Sequence, residues 1–183
     1  EFRASGLPVI FTRYVADTRY RRLASRLTWL QLLEPPTSAC VPGRLRAYPD
    51  VQDEKEGAAV VDELEPRPEE TVVDKVYFSA FHETDLDQTL RDLRVNSLIV
   101  TGTITEMCVE DTARHAVHHG YRTVVVSDAV ASNDLAGHEA ALRAFEKNYG
   151  WVLPSESIRE ALRLERKPAG QRNTHDLHVE GQS

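Results

Sequence analysis

Leu98-Ile-Val-Thr-Gly102-Thr-Ile-Thr-Glu-Met-Cys108-Val-Glu-Asp-Thr112-Ala-Arg-His-Ala116 decides the reading of this chain. It begins as an apolar β-branched run, breaks at one glycine, and continues with helical spacing. Cys108 falls in the first turn of the expected helix, where the positive end of the macrodipole favours a thiolate over a thiol. A free cysteine is also a small hydrophobe that cores readily bury, so the position alone leaves both roles open. The strand–loop–helix setting leans toward chemistry, because sites in open α/β sheets gather at the carboxyl ends of strands.

Outward from this stretch the chain alternates strands and helices. Pro8–Tyr14 reads as a buried strand, preceded at Arg3–Gly6 by the last turn of a helix closed by glycine. Asp17–Leu33 has helical character and carries Arg19, Arg21, Arg22 and Arg26; Pro35-Pro36 and Pro42-Gly43 then impose a long loop. The acidic stretch Asp50–Glu70 accommodates a short helix at Glu56–Leu64 and a turn at Pro66-Arg67-Pro68. Thr71–Lys75 reads as a strand, and Leu86, Leu90 and Leu93 set a helical period after an N-cap at Thr84.

A strand at Ser97–Val100, the Cys108 helix ending at Gly120 and a strand at Thr123–Ser127 leading into Asp128 follow. A helix at Gly137–Asn148, a strand at Trp151–Leu153 and a helix at Glu156–Leu164 complete the pattern. This order predicts an α/β fold: three α-β-α layers around a mostly parallel, Rossmann-like sheet. One domain is expected over residues 1–166 and a polar tail over 167–183, because 183 residues with 41% hydrophobic content supply one core.

A net charge of −7 argues against nucleic-acid and anionic-membrane surfaces, leaving a small molecule or another protein as partner. Only Cys40 and Cys108 occur, too few for a disulfide framework or a zinc site of their own. No apolar run approaches the roughly 18 residues of a membrane span and no leader pattern opens the sequence, so a reducing, cytoplasmic setting is expected. Gly102 stands without the spacing of a phosphate loop, and nucleotide binding has no support.

Other candidates carry two readings each. His115, His118 and His119 occupy the last turns of the Cys108 helix, where cationic side chains complement the dipole; no partner is spaced to complete a metal shell. Cys108 and Arg114 share the spacing of phosphate loops in cysteine phosphatases, but Glu110 and Asp111 would set two negative charges beside the anion. Lys75 ends an apolar strand and is expected at the sheet edge that carries Cys108, where it holds a thiolate in its charged form or is a surface residue.

Together these segments resemble the isochorismatase-like cysteine hydrolase superfamily. The resemblance rests on Lys75 with Ser79-Ala-Phe81 and Thr84-Asp-Leu86, then Val100-Thr-Gly102, Cys108-Val109, Thr112-Ala113, Ala116, Gly120-Tyr121 and Asp128-Ala129. It implies that Cys108 is a nucleophile and Lys75 its charge partner. It also implies a cis peptide between Thr103 and Ile104, with the amides of Ile104 and Cys108 as oxyanion hole. Phe81 is expected at the pocket wall or in the core.

The family's aspartate lies at the end of a first strand, which is expected ahead of Glu1; Asp17 and Asp50 do not occupy its position. Residues Val15–Lys55 contain no histidine, which speaks against a metal-dependent nicotinamidase, and no cofactor is expected. The implied reaction is hydrolysis of a carbon–nitrogen bond in an amide or ureido compound through a cysteine thioester, by a homo-oligomer. The competing reading is a catalytically inactive relative that keeps the fold for association.

Overall fold

Four parallel or antiparallel strand pairings organise the computed structural model, which describes residues 1–17, 28–47 and 53–166. Strand β1 (Ile10–Tyr14) pairs in parallel with β4 (Thr71–Lys75), in a register that sets Tyr14 beside Lys75. Strands β5 (Ser97–Thr103), β6 (Arg122–Ala131) and β7 (Trp151–Leu153) form a second parallel sheet in the order β5-β6-β7. A two-residue antiparallel ladder joins β2 (Leu45–Arg46) to β3 (Lys55–Glu56). Among the described residues, no ladder connects the β1–β4 sheet to the β5–β6–β7 sheet.

The helices are α1 (Leu86–Asp92), α2 (Glu110–His118), α3 (Leu135–Asn148) and α4 (Ser155–Arg166). The central strand β6 shows why both sheet faces are covered. Successive side chains of a strand point to opposite faces, and both Val125 and Val126 are buried. Val125 packs with Val109, Ala113 and Phe145 from the α2 and α3 side. Val126 therefore needs a second helical layer, and α4 lies against β6 with Leu162 buried. The result is the three-layer α/β fold with a mostly parallel sheet.

A second cluster joins the two sheets through side chains alone. Val73 of β4 packs with Leu86 and Leu90 of α1, Ala116 of α2, and Phe81 and Tyr121. Leu98 of β5 and Ile10 of β1 border it.

Local differences from the sequence reading have identifiable causes. The helix expected at Glu56–Leu64 is absent: Lys55 and Glu56 pair with β2, and only Asp62–Leu64 turns, as 3-10. The N-terminal turn at Arg3–Ser5 is also 3-10, closed by Gly6 at φ 67°. Thr84 does not hold the N-cap of α1, which is Asp85. Its hydroxyl instead accepts from the Leu86 amide and donates to the Ala80 carbonyl. Of the helix expected at Asp17–Leu33, Thr28–Leu33 is a 3-10 helix; Arg19, Arg21, Arg22 and Arg26 lie outside the described residues, as do Asp50 and the stretch 167–183.

Both strands that frame the cysteine run further than expected, β5 to Thr103 and β6 to Ala131. Their register shifts between Val100 and Gly102, so that Gly102 faces Val130. A shift of this kind re-aims the strand end. Gly102 there has φ 117°, a conformation that side-chain-bearing residues rarely adopt.

Candidate functional site

Three features of the chain after β5 place Cys108. The Thr103–Ile104 peptide is cis. The next five residues, Thr105–Val109, form a π-helical turn that runs directly into α2. The turn is pinned at its two ends: Thr105 is buried with its hydroxyl 2.8 Å from His138 Nδ1 of α3, and Val109 is buried in the α2–α3 core. Between these anchors Glu106, Met107 and Cys108 remain partly exposed. Single π turns inside helices are a recurrent way to display a functional side chain. Cys108 thus occupies an N-terminal helical turn, one π turn wider than an ordinary helix start.

Lys75 meets it from the other sheet. The residue ends β4 and is only 3% exposed, which for a lysine demands compensation. Its Nζ donates to Tyr77 O at 3.1 Å, Phe78 O at 2.7 Å and Cys108 Sγ at 3.1 Å. An ammonium carries three N–H donors and no acceptor, so these three acceptors match its full capacity. The Tyr14 ring, from the paired position on β1, lies 5.5 Å from Nζ and adds a cation–π contact. The two candidates from opposite sheets are therefore in direct contact.

The loop after β4 that supplies both carbonyls is held by α2. Ala80 N donates to Thr112 Oγ1 at 3.0 Å, and Thr112 Oγ1 donates to Phe78 O at 3.4 Å. Ser79, 1% exposed, has its hydroxyl 2.7 Å from His115 Nδ1 and accepts from Phe81 N at 3.2 Å.

Several sequence candidates are placed elsewhere. Phe81, weighed as a pocket wall, belongs to the core cluster of Val73, Leu86 and Leu90, with its ring stacked 4.8 Å from that of His119. His119 Nδ1 is 3.3 Å from Asp87, and His115 is engaged with Ser79, so the histidines serve separate contacts. Arg114 pairs with Glu110 one turn earlier and lies 4.8 Å over the Tyr149 ring, which commits its guanidinium away from a phosphate-loop role. Asp128 accepts from both the amide and the hydroxyl of Ser155, each at 2.7 Å, capping α4; the Ser155 contacts hold its carboxyl below the usual range.

Sequence reasoning missed Tyr14, Thr112, Glu106 and Cys40 as neighbours of the site. Glu106 Oε1 accepts from Ser132 Oγ at 2.6 Å, while its buried Oε2 has no partner among the described residues. Cys40 packs beside Tyr14, Val76 and Tyr77, and its carbonyl accepts from Ala16 N at 2.8 Å. Burial pushes the Cys40 thiol up, with Cys108 as a further cause. Only the strand register brings Tyr14 to Lys75, and nothing in the local sequence of either announces it.

The chain has clear relatives among known proteins. The sequence model of the isochorismatase domain matches residues 1–157. A ureidoacrylate amidohydrolase RutB from Methylobacterium radiotolerans is 40% identical over 114 residues, covering 61% of this chain and 44% of the relative. The RutB of Pseudomonas savastanoi pv. phaseolicola is 34% identical over 157 residues, covering 82% and 62%. The chain thus spans roughly half the length of these curated relatives. The crystal structure of a cysteine hydrolase from Pseudomonas syringae pv. phaseolicola 1448A superposes with a TM-score of 0.70 at 25% identity, over 88% of this chain and 74% of that one.

Proposed function

The chain belongs to the isochorismatase family, and from that premise we propose that it hydrolyses a carbon–nitrogen bond in a small amide or ureido compound, with Cys108 as nucleophile and Lys75 as its charge partner. The observation that carries this reading is the 3.1 Å contact between a buried Lys75 Nζ and Cys108 Sγ. An ammonium one hydrogen bond from sulfur sets a cation beside the proposed attacking atom, and thiolate is the attacking form of cysteine. Cys108 lies in the π-helical turn that leads into the N-terminus of α2. The RutB relatives are named for hydrolysis of a ureido compound, which supports the proposed substrate class.

In the proposed reaction the thiolate adds to the carbonyl carbon and the oxygen takes up the negative charge. The amides of Ile104 and Cys108 are the proposed donors to that oxyanion. Collapse expels the nitrogen, which takes a proton from solvent water and leaves as an amine or ammonia, while the acyl group remains on sulfur; hydrolysis of the thioester returns that proton to solvent. Water then adds to the thioester, releases the acid and regenerates the thiolate. Two of the three Lys75 N–H groups are committed to Tyr77 O and Phe78 O and the third to sulfur, so its proposed role is charge pairing with the sulfur.

The test is turnover of a panel of N-carbamoyl and primary amide compounds, combined with intact-mass analysis of acid-quenched reactions. The expected result is release of ammonia or amine together with a mass adduct on Cys108. Cys108→Ala is expected to abolish both, with a loss of at least about a thousandfold in turnover. A Cys108→Ala protein that turns over at the wild-type rate would overturn the mechanism.

A further inference from the structure

We propose that Thr112 is a positioning residue for the Lys75–Cys108 pair, acting through the carbonyl of Phe78; this inference rests on the functional reading above. The geometry forms a closed circuit. Cys108 lies four residues before Thr112 on the same helical run, so their side chains occupy neighbouring turns of one face. Thr112 Oγ1 donates to Phe78 O, Phe78 O accepts from Lys75 Nζ, and Lys75 Nζ reaches Cys108 Sγ. The element that displays the sulfur therefore also fixes the carbonyl that aims the ammonium at it.

One hydroxyl performs two tasks in this circuit. It accepts from Ala80 N and donates to Phe78 O, a combination open only to a group with both donor and acceptor capacity. Ala80 is fully buried, so its amide has no route to water if the hydroxyl is removed. Ser79 and His115 strap the adjacent residue one turn further along α2, so the loop cannot drift far; the Thr112 contact then sets the direction of the Phe78 carbonyl. Because Lys75 has three donors and three partners, turning that carbonyl redirects the ammonium and weakens its hold on sulfur.

The experiment reads the rate of Cys108 alkylation by iodoacetamide, resolved by peptide mass mapping, which requires no substrate. Thr112→Val is expected to slow alkylation about three- to tenfold, the loss associated with one hydrogen bond. Thr112→Ser is expected to restore the wild-type rate. In a Lys75→Met background, Thr112→Val is expected to have no further effect, since its influence runs through the ammonium. Thr112→Ala replaces the valine variant if that protein does not fold, and thermal midpoints are recorded for all.

A slowed rate that persists in the Lys75→Met background overturns the inference, as does failure of Thr112→Ser to rescue. An unchanged alkylation rate in Thr112→Val, whatever its thermal midpoint, also overturns it. The hydrolytic reading is judged separately by turnover of Cys108→Ala, so failure of one is distinguishable from failure of the other.

Discussion

Two thiols in one chain provide an internal comparison. Cys108 receives a hydrogen bond from the Lys75 ammonium, whereas Cys40 points its sulfur toward the Gly57 carbonyl at 3.8 Å and is pushed up by burial. Iodoacetamide at pH 7 is therefore expected to modify Cys108 at least about tenfold faster than Cys40, because only thiolate reacts. Peptide mapping over a time course checks this, and equal rates would remove the case for an activated Cys108. Lys75→Met is expected to narrow the gap by slowing Cys108 more than Cys40, on which Lys75 acts only as the last of several causes. The sequence made both Cys108 and Lys75 visible, the first by its helix start and the second by ending an apolar run. It singled out Thr112 only as part of the family resemblance and Tyr14 not at all, because the contacts that tie them to the site run across 34 and 61 residues of chain respectively.

At the scale of elements, the connection between α3 and β7 has no room for a side chain. A Cβ on Gly150 would lie 2.3 Å from the Thr123 carbonyl oxygen and 3.0 Å from the Phe145 ring, and Phe145 is itself 1% exposed. Gly150→Ala is expected to destabilise the protein by about 1–3 kcal/mol through overpacking, visible as a lowered midpoint in urea. An unchanged midpoint would show that β7 shifts freely on β6. Elements with a clear apolar signal, such as α1 with the helical period of Leu86 and Leu90 and β4 with its short β-branched run, were legible in the sequence. The π turn at Thr105–Val109 was not, since one residue added to a helical turn leaves no trace in the apolar pattern. The β2–β3 ladder was hidden for another reason: two-residue strands are set by pairing, not by local preference.

For the molecule as a whole, ion pairs fasten the N-terminal turn to the start of β4. Arg3 makes two contacts with Glu70, at 2.6 and 2.7 Å, and a third with the Glu65 carbonyl. The Arg3 guanidinium holds the Glu70 carboxyl down to about 2, from an ordinary 4.5. Arg91, together with the Tyr121 hydroxyl, lowers Asp87 in the same way. A carboxylate depressed on folding stabilises the native state above its unfolded value, and that stabilisation is lost as pH falls through the folded one. Stability is thus expected to decline between about pH 4.5 and 2, and Glu70→Gln to flatten that decline. Urea titrations at several acidic pH values check the slope; a parallel decline in wild type and variant would assign acid sensitivity elsewhere.

Among the described residues the two sheets share no ladder, and the Lys75–Cys108 contact bridges them, lysine on one side and sulfur on the other. Such a placement makes the pair a vernier: a slip of an ångström between the halves breaks a 3.1 Å contact while leaving every strand pairing intact. Chemical reactivity at Cys108 then reports the alignment of the halves, and it is expected to fade at urea concentrations where circular dichroism still records full secondary structure.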